Sequence, residues 1–270
     1  MEKQCLSLRE IQMEELEILK NFIKYAEKRN LKYYLCGGTL IGAIRHQGFI
    51  PWDDDIDICM PRPDYDKLIM FAKKETILEN YELKSMELKN SVYPFSKVVN
   101  KNIKIRSNSK EDKNLWIDIF PIDSVPDEKE KQEKLINEIM KYKGIMYLHN
   151  TEIKDILKEN KSKKNKFLKI LLKPIAFLIP KKIISKKMIK IAKSNDYNKG
   201  EKLGVYIWGY GIREIMDRKI FEKGIKVKFE DIEANAPAEY DKYLTNIYGD
   251  YMKLPPEEKR IIHNTVAFKD

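Results

Sequence analysis

The segment "IPWDDDIDICM", residues 50–60, constrains this chain more than any other. Four aspartates, Asp53, Asp54, Asp55 and Asp57, fall within five positions and run straight into apolar residues. Carboxylates that close repel one another, and burying any of them is costly. Either the segment is a solvated turn or a cation sits there. From Asp55 the acids alternate with Ile56 and Ile58, a period of two that predicts a strand stopped by Pro61 and Pro63. On such a strand Asp55 and Asp57 share a face. Asp53 has the same parity and extends the set, whereas Asp54 has the opposite one. A few hard oxygen ligands suit Mg²⁺ or Mn²⁺, with phosphate oxygens and water completing the shell. The run is not an EF-hand, because the required glycine and distal glutamate are missing at that spacing.

A third buried acid appears in "LWIDIFPID", residues 115–123, a short apolar strand expected to end at Pro121. Asp118 lies between Ile117 and Ile119, and an acid there is costly unless partnered. If this strand lies beside Asp55 and Asp57, the three can serve two metals about 4 Å apart, as in phosphoryl transfer. A phosphate site is suggested upstream. "LKYYLC", residues 31–36, reads as a buried strand, Gly37, Gly38 and Thr39 as a turn, and "LIGAIRH" as a helix. Free backbone N–H groups and the positive helix end attract phosphate there, and Thr39 adds a hydroxyl. No Walker A loop is present. A Gly-Gly pair alone is most often just a turn.

The remaining organisation is mixed. Residues 8–29 predict an amphipathic helix with Ser7 as N-cap, and "DYDKLIMFAKK" a capped helix from Asp64. "YELKSMEL" and "YPFSKVVNKNIKIR" predict strands, and 127–149 a helix. The expected layout is an α/β core with a mixed β-sheet flanked by helices over 1–150, a basic helical insertion over 151–200, and a C-terminal part, 201–270, that completes one catalytic domain. The net charge of +10 sits in the insertion: residues 158–193 hold thirteen lysines and one glutamate, net +12, which leaves about −2 elsewhere. A basic nucleic-acid binder would not confine its charge so, and would favour arginine and stacking aromatics. No nucleic-acid partner is therefore expected. No leader pattern or spanning stretch is seen. Three cysteines without paired spacing point to a reducing, cytoplasmic setting.

Gly-Gly, a DxD strand and a later acid resemble the pattern of the nucleotidyltransferase fold. The filling between them narrows this further. "YYLCGGTLIGAIRHQGFIPWDDDIDICM", "WIDIFPID" and the tail "YDKYLTNIYGDYMKLPPEEKR" followed by His263 resemble the LicD family. These stretches span about 33–263 but leave the basic insertion uncovered. The resemblance implies a nucleotidyltransferase-type core. It also implies metal-dependent transfer of phosphocholine from CDP-choline to a hydroxyl of a cell-surface glycan or glycolipid, of teichoic acid or lipopolysaccharide type, with release of CMP. It makes Asp55, Asp57 and Asp118 the catalytic and metal acids and Gly37, Gly38 and Thr39 the phosphate turn. Arg45, His46, Trp52 and His263 belong to its shared motifs. Asp53 or Asp118 would accept the hydroxyl proton, and Lys97 or Arg45 would steady the leaving phosphate.

A choline group would need aromatic walls, for which Trp52, Trp116, Trp208, Tyr206 and Tyr210 are available. Another donor, such as CDP-ribitol, CDP-glycerol or an NTP, would use the same acids and stays open. Two readings of the lysine segment also stay open. It is either a helical pair with a solvated basic face, or an interfacial element on an anionic membrane surface, with Pro174 and Pro180 breaking it into short pieces. The resemblance, whose acceptors are often built on lipid carriers, favours membrane contact at the inner face.

Overall fold

A computed structural model describes residues 4–75, 79–106, 113–158, 161–260 and 265–269. Along the chain come β1 (Gln4–Cys5), α1 (Leu8–Lys28), β2 (Tyr34–Leu35), α2 (Gly37–His46), β3 (Asp57–Pro61), α3 (Arg62–Ala72), β4 (Tyr81–Lys84), β5 (Ser96–Ile105) and β6 (Asn114–Val125). Four helices follow: α4 (Lys129–Asn150), α5 (Ile153–Lys158), α6 (Lys163–Phe177) and α7 (Lys181–Ala192). The chain returns with β7 (Lys202–Gly204), β8 (Met216–Asp217), β9 (Gly224–Phe229), β10 (Ile232–Pro237), α8 (Tyr240–Tyr248) and β11 (Ala267–Lys269).

The fold is mixed α/β, with a mixed sheet flanked by helices. Its spine runs β1-β11-β5-β6-β3-β2, with β4 beside β5 and β7–β8 continuing from β6. The β3–β6 pair is parallel and the other pairs are antiparallel. β9 and β10 form a separate hairpin.

α1 forms as its spacing predicts. Leu16, Leu19, Phe22, Ile23 and Ala26 are buried in the core. Ser7 and Glu10 close a capping box, each side chain bonding the other's backbone N–H. A second apolar cluster, with Leu135, Ile139, Ile184 and Met188, joins α4 to α7.

Three expectations about prolines and boundaries need correction. β6 does not end at Pro121 but runs to Val125. The Asp118 amide donates to Ile56 O on the β3 side. Alternation then turns position 121 toward β5, whose pairing has already ended at Ser96 opposite Ile119. The N–H that proline lacks has no partner waiting there. Pro174 likewise does not break α6, because it stands three residues from the helix end on an exposed turn. Pro180 does end the run, as N-cap of α7. α3 begins at Arg62, not Asp64, with Pro63 in its first turn and no side-chain cap.

Candidate active site

Adjacent strands gather the acids. Asp57 on β3 is register-paired with Asp118 on β6, and Asp118 in turn with Lys97 on β5, so the three form one row across the sheet. The Lys97 Nζ lies 3.9 Å from Asp118 Oδ1. The buried ammonium also sits 3.7 Å from the Trp116 ring centroid and 4.4 Å from that of Tyr93.

β3 starts only at Asp57, so Asp53 and Asp55 are not on a strand. The division expected from parity nonetheless appears. Asp53, Asp55 and Asp57 line one cavity of about 540 Å³, while Asp54 turns away to accept from the Thr265 amide at 3.0 Å. Burial pushes the Asp57 carboxyl well above the usual carboxylate range, and Asp55, Asp118 and Asp53 push it further. Asp118 itself is not on the cavity wall; it stands one strand over.

The glycines are not a turn ahead of the helix but the first two residues of α2. Gly37 has φ +57°, which an L side chain rarely adopts. A Cβ there would stand 3.1 Å from Asp57 Oδ2, and one on Gly38 would stand 3.0 Å from Asp53 Oδ2. Two carboxylates therefore lie against the positive end of α2, which eases their repulsion. Thr39 is buried off the cavity wall. Its hydroxyl accepts from the Asp57 amide at 2.8 Å, so it positions that acid and keeps its own O–H to donate.

Of the other expected residues, Arg45 and Trp52 line the cavity. Arg45 is anchored by a bond from Nη1 to Tyr251 O at 2.8 Å. His46 is off the wall, accepting from Arg45 Nε at 2.9 Å and packing edge-on against Trp52. Lys97 is also off the wall. His263 lies outside the described residues. Among the aromatic candidates, Trp52, Trp208 and Tyr210 reach the cavity. Trp116 covers Lys97 instead, and Tyr206 is core, its hydroxyl bonding Ser124 O and Ala192 O.

Sequence reasoning missed several participants. Glu15 is buried on α1, pushed up by desolvation and then by Asp55, Asp54, Asp53 and Asp118. Lys143, Lys253 and Arg260 add cations to the cavity. Tyr248 lies edge-on to Tyr210 with ring centroids 5.5 Å apart. Its hydroxyl comes within 3.7 Å of where a Gly37 Cβ would stand. Glu214, only 4% exposed, lines the same cavity. Its Oε1 accepts from the Tyr210 amide at 3.1 Å, and its Oε2 has no hydrogen-bond partner among the described residues. Burial raises its pKa to about 7, against the Tyr210 N–H and the charge of Lys143. Lys143 is committed to two carbonyls, Trp208 O and Gly209 O. No spacing rule could have brought Glu214 to the acids, because it ends a single short 3-10 turn, Gly211–Glu214, far along the chain from them.

Among the described residues, no three His, Cys, Asp or Glu side chains already converge as a closed metal site. The donors present are all carboxylate oxygens on an open cavity, with glycines leaving room beside two of them. That set fits a hard cation held by one or two carboxylates and completed by substrate phosphates and water. It does not fit an all-protein cage.

Comparison with known proteins places the chain in a family. Residues 30–158 match the family described as LicD/FKTN/FKRP, nucleotidyltransferase domain. The lipopolysaccharide cholinephosphotransferase LicD of Haemophilus influenzae is 34% identical over 267 residues, covering 96% of both chains. Uncharacterized proteins of Rickettsia typhi and Rickettsia prowazekii match shorter stretches, 44% identical over 63 residues and 46% over 48. Each Rickettsia match covers 18% of the relative's own length. The chain belongs to the LicD family.

Proposed function

We propose that this LicD-family phosphotransferase moves phosphocholine from CDP-choline to a hydroxyl of a cell-surface glycan, with a lipopolysaccharide-type acceptor the first to test. One observation carries the choice of choline: a buried carboxylate, Glu214, with one oxygen unbonded, stands among Trp208, Tyr210 and Tyr248 in the cavity that holds the acids. Aromatic faces and a carboxylate favour a quaternary ammonium. A neutral ribitol or glycerol would bring no charge to meet Glu214, whose nearby cation Lys143 is turned to two carbonyls. The spacing also suits the ligand. Choline places its ammonium two carbons from the phosphate oxygen, and Tyr248 comes close to the Asp57 carboxylate beside Gly37.

Asp55 and Asp57, with Asp53 and Asp118 beside them, would hold Mg²⁺ or Mn²⁺, which when bound neutralises the diphosphate. Arg45, Lys253 and Arg260 would meet the phosphates of the nucleotide half. The acceptor oxygen attacks the choline phosphorus, and the bond from that phosphorus to the bridging oxygen breaks. CMP departs with the electron pair. Asp53, the candidate base on the cavity wall, takes the hydroxyl proton. Most of the rate enhancement then comes from positioning and charge stabilisation.

Thermal unfolding with Mg²⁺ and a panel of CDP-choline, CDP-ribitol, CDP-glycerol, UTP and ATP tests the donor. A ligand at 100 times its Kd stabilises the folded state by about 2.7 kcal/mol. A metal-dependent rise with CDP-choline alone is expected. A rise with a different nucleotide alone would replace the donor, and none with any would remove this substrate class.

A further inference from the structure

We propose that α6 and the neighbouring part of α7 form a docking face for an anionic lipid bilayer, lying among its headgroups without crossing it. The inference rests on the surface of the insertion and needs no part of the phosphocholine reading. On α6 the side chains of Phe167, Leu171 and Ile175 recur every four residues and are 69%, 57% and 56% exposed. Leu168, 48% exposed, and Leu178, 80% exposed, fall on the same side. This is one continuous apolar stripe, and soluble monomers seldom leave one of this size uncovered.

The stripe is not a core face turned out by a loosely placed helix, because the opposite face of α6 is already occupied. Ala176 is buried with Leu148 and Ile156. The Lys173 ammonium donates to Leu148 O and Thr151 O, tying α6 to the end of α4. Exposed lysines flank the stripe in the chain, Lys163 and Lys164 at the start of α6 and Lys182, Lys186, Lys187 and Lys190 on α7, the helix that follows it. Residues 158–193 carry a net +12 on an otherwise near-neutral chain.

Charge complementarity therefore selects the occupant. A like-charged second copy is repelled, whereas an anionic bilayer accepts both the apolar stripe and the lysine rim. α6 has 15 residues, and among the described residues no helix is long and apolar enough to cross a membrane. One helix reaches both the face and the catalytic cavity. α4 places Lys143 in that cavity and Leu148 beneath α6, within five residues of each other.

Flotation of the full chain with vesicles tests this. The protein should rise with vesicles of phosphatidylcholine plus phosphatidylglycerol and stay behind with phosphatidylcholine alone, and the binding should weaken as salt is added. The variant Phe167→Ser/Leu171→Ser/Ile175→Ser should bind the anionic vesicles at least tenfold less. Lys182→Gln/Lys186→Gln/Lys187→Gln should lose about fivefold per lysine. These side chains are exposed, so both variants should keep the parent melting temperature. Three results would overturn the proposal: no rise with anionic vesicles, unchanged binding by both variants, or a lipid-free dimer that the serine variant dissolves.

Discussion

The amide of Asp57 donates to the hydroxyl of Thr39 at 2.8 Å, so the first turn of α2 fixes the height at which β3 presents its acid. Thr39→Val keeps the shape and removes the acceptor. The stranded amide should cost about 1–3 kcal/mol of stability. Turnover should fall about tenfold while nucleotide affinity, read by calorimetry, changes little, because the acid is displaced but still present.

The protein's own surroundings oppose the charge of Asp57. Burial and three neighbouring carboxylates all oppose its charge. Asp57→Asn should therefore raise the melting temperature of the metal-free protein while lowering turnover by about 10²–10³-fold. A variant less stable than the parent would show that the repulsion is offset elsewhere. Full activity would remove Asp57 from the site.

Glu214 predicts a pH signature. Folded, it keeps its proton to about pH 7, whereas an exposed glutamate loses it near 4.5. The folded state binds the extra proton between those values. The contribution of Glu214 should be fully present below the lower value and be lost through the window, by about 3 kcal/mol in total. Denaturant titrations from pH 4 to 8 should show this slope, and Glu214→Gln should flatten it. Choline binding should tighten over the same rise in pH as the carboxylate becomes charged, and that dependence should vanish in the variant.

A buried ion pair braces the strand pair from the other side. Arg62 Nε and Nη2 each donate to an oxygen of Asp123 at 2.6 Å, and both residues are nearly excluded from solvent. Asp123→Ala would leave the buried guanidinium with only the half-exposed Asp66 at 3.5 Å, at a cost of about 3 kcal/mol in equilibrium unfolding. Replacing both partners with apolar residues should recover most of that loss.

What the sequence made legible was whatever depends on local period. The α1 stripe and its Ser7 cap, and the separation of Asp54 from its odd-numbered neighbours, all follow from spacing over a few residues. What stayed hidden depends on meetings across long separations. Nothing near Pro121 reveals that β5 has already ended, so a proline that looks like a stop is passed. That Thr39 holds Asp57 shows only once β3 is placed beside it. Glu214 is an ordinary glutamate in an ordinary stretch until the return of the chain buries it beside Tyr210. Among the aromatic candidates, only packing could separate Trp208, which reaches the cavity, from Tyr206, which fills the core.

The pairing of Val125 with Lys202 carries a consequence for how such enzymes can diversify. The chain leaves the sheet and rejoins it at one point, so everything from 126 to 201 is an excursion with both ends clamped together. Its length does not enter the register of the acids, which is set by β3, β5 and β6. Helices could be lengthened, shortened or exchanged at that junction with only Lys143 among the cavity residues at stake. The junction is in effect a splice site in three dimensions, where a catalytic centre can be kept and its means of attachment replaced.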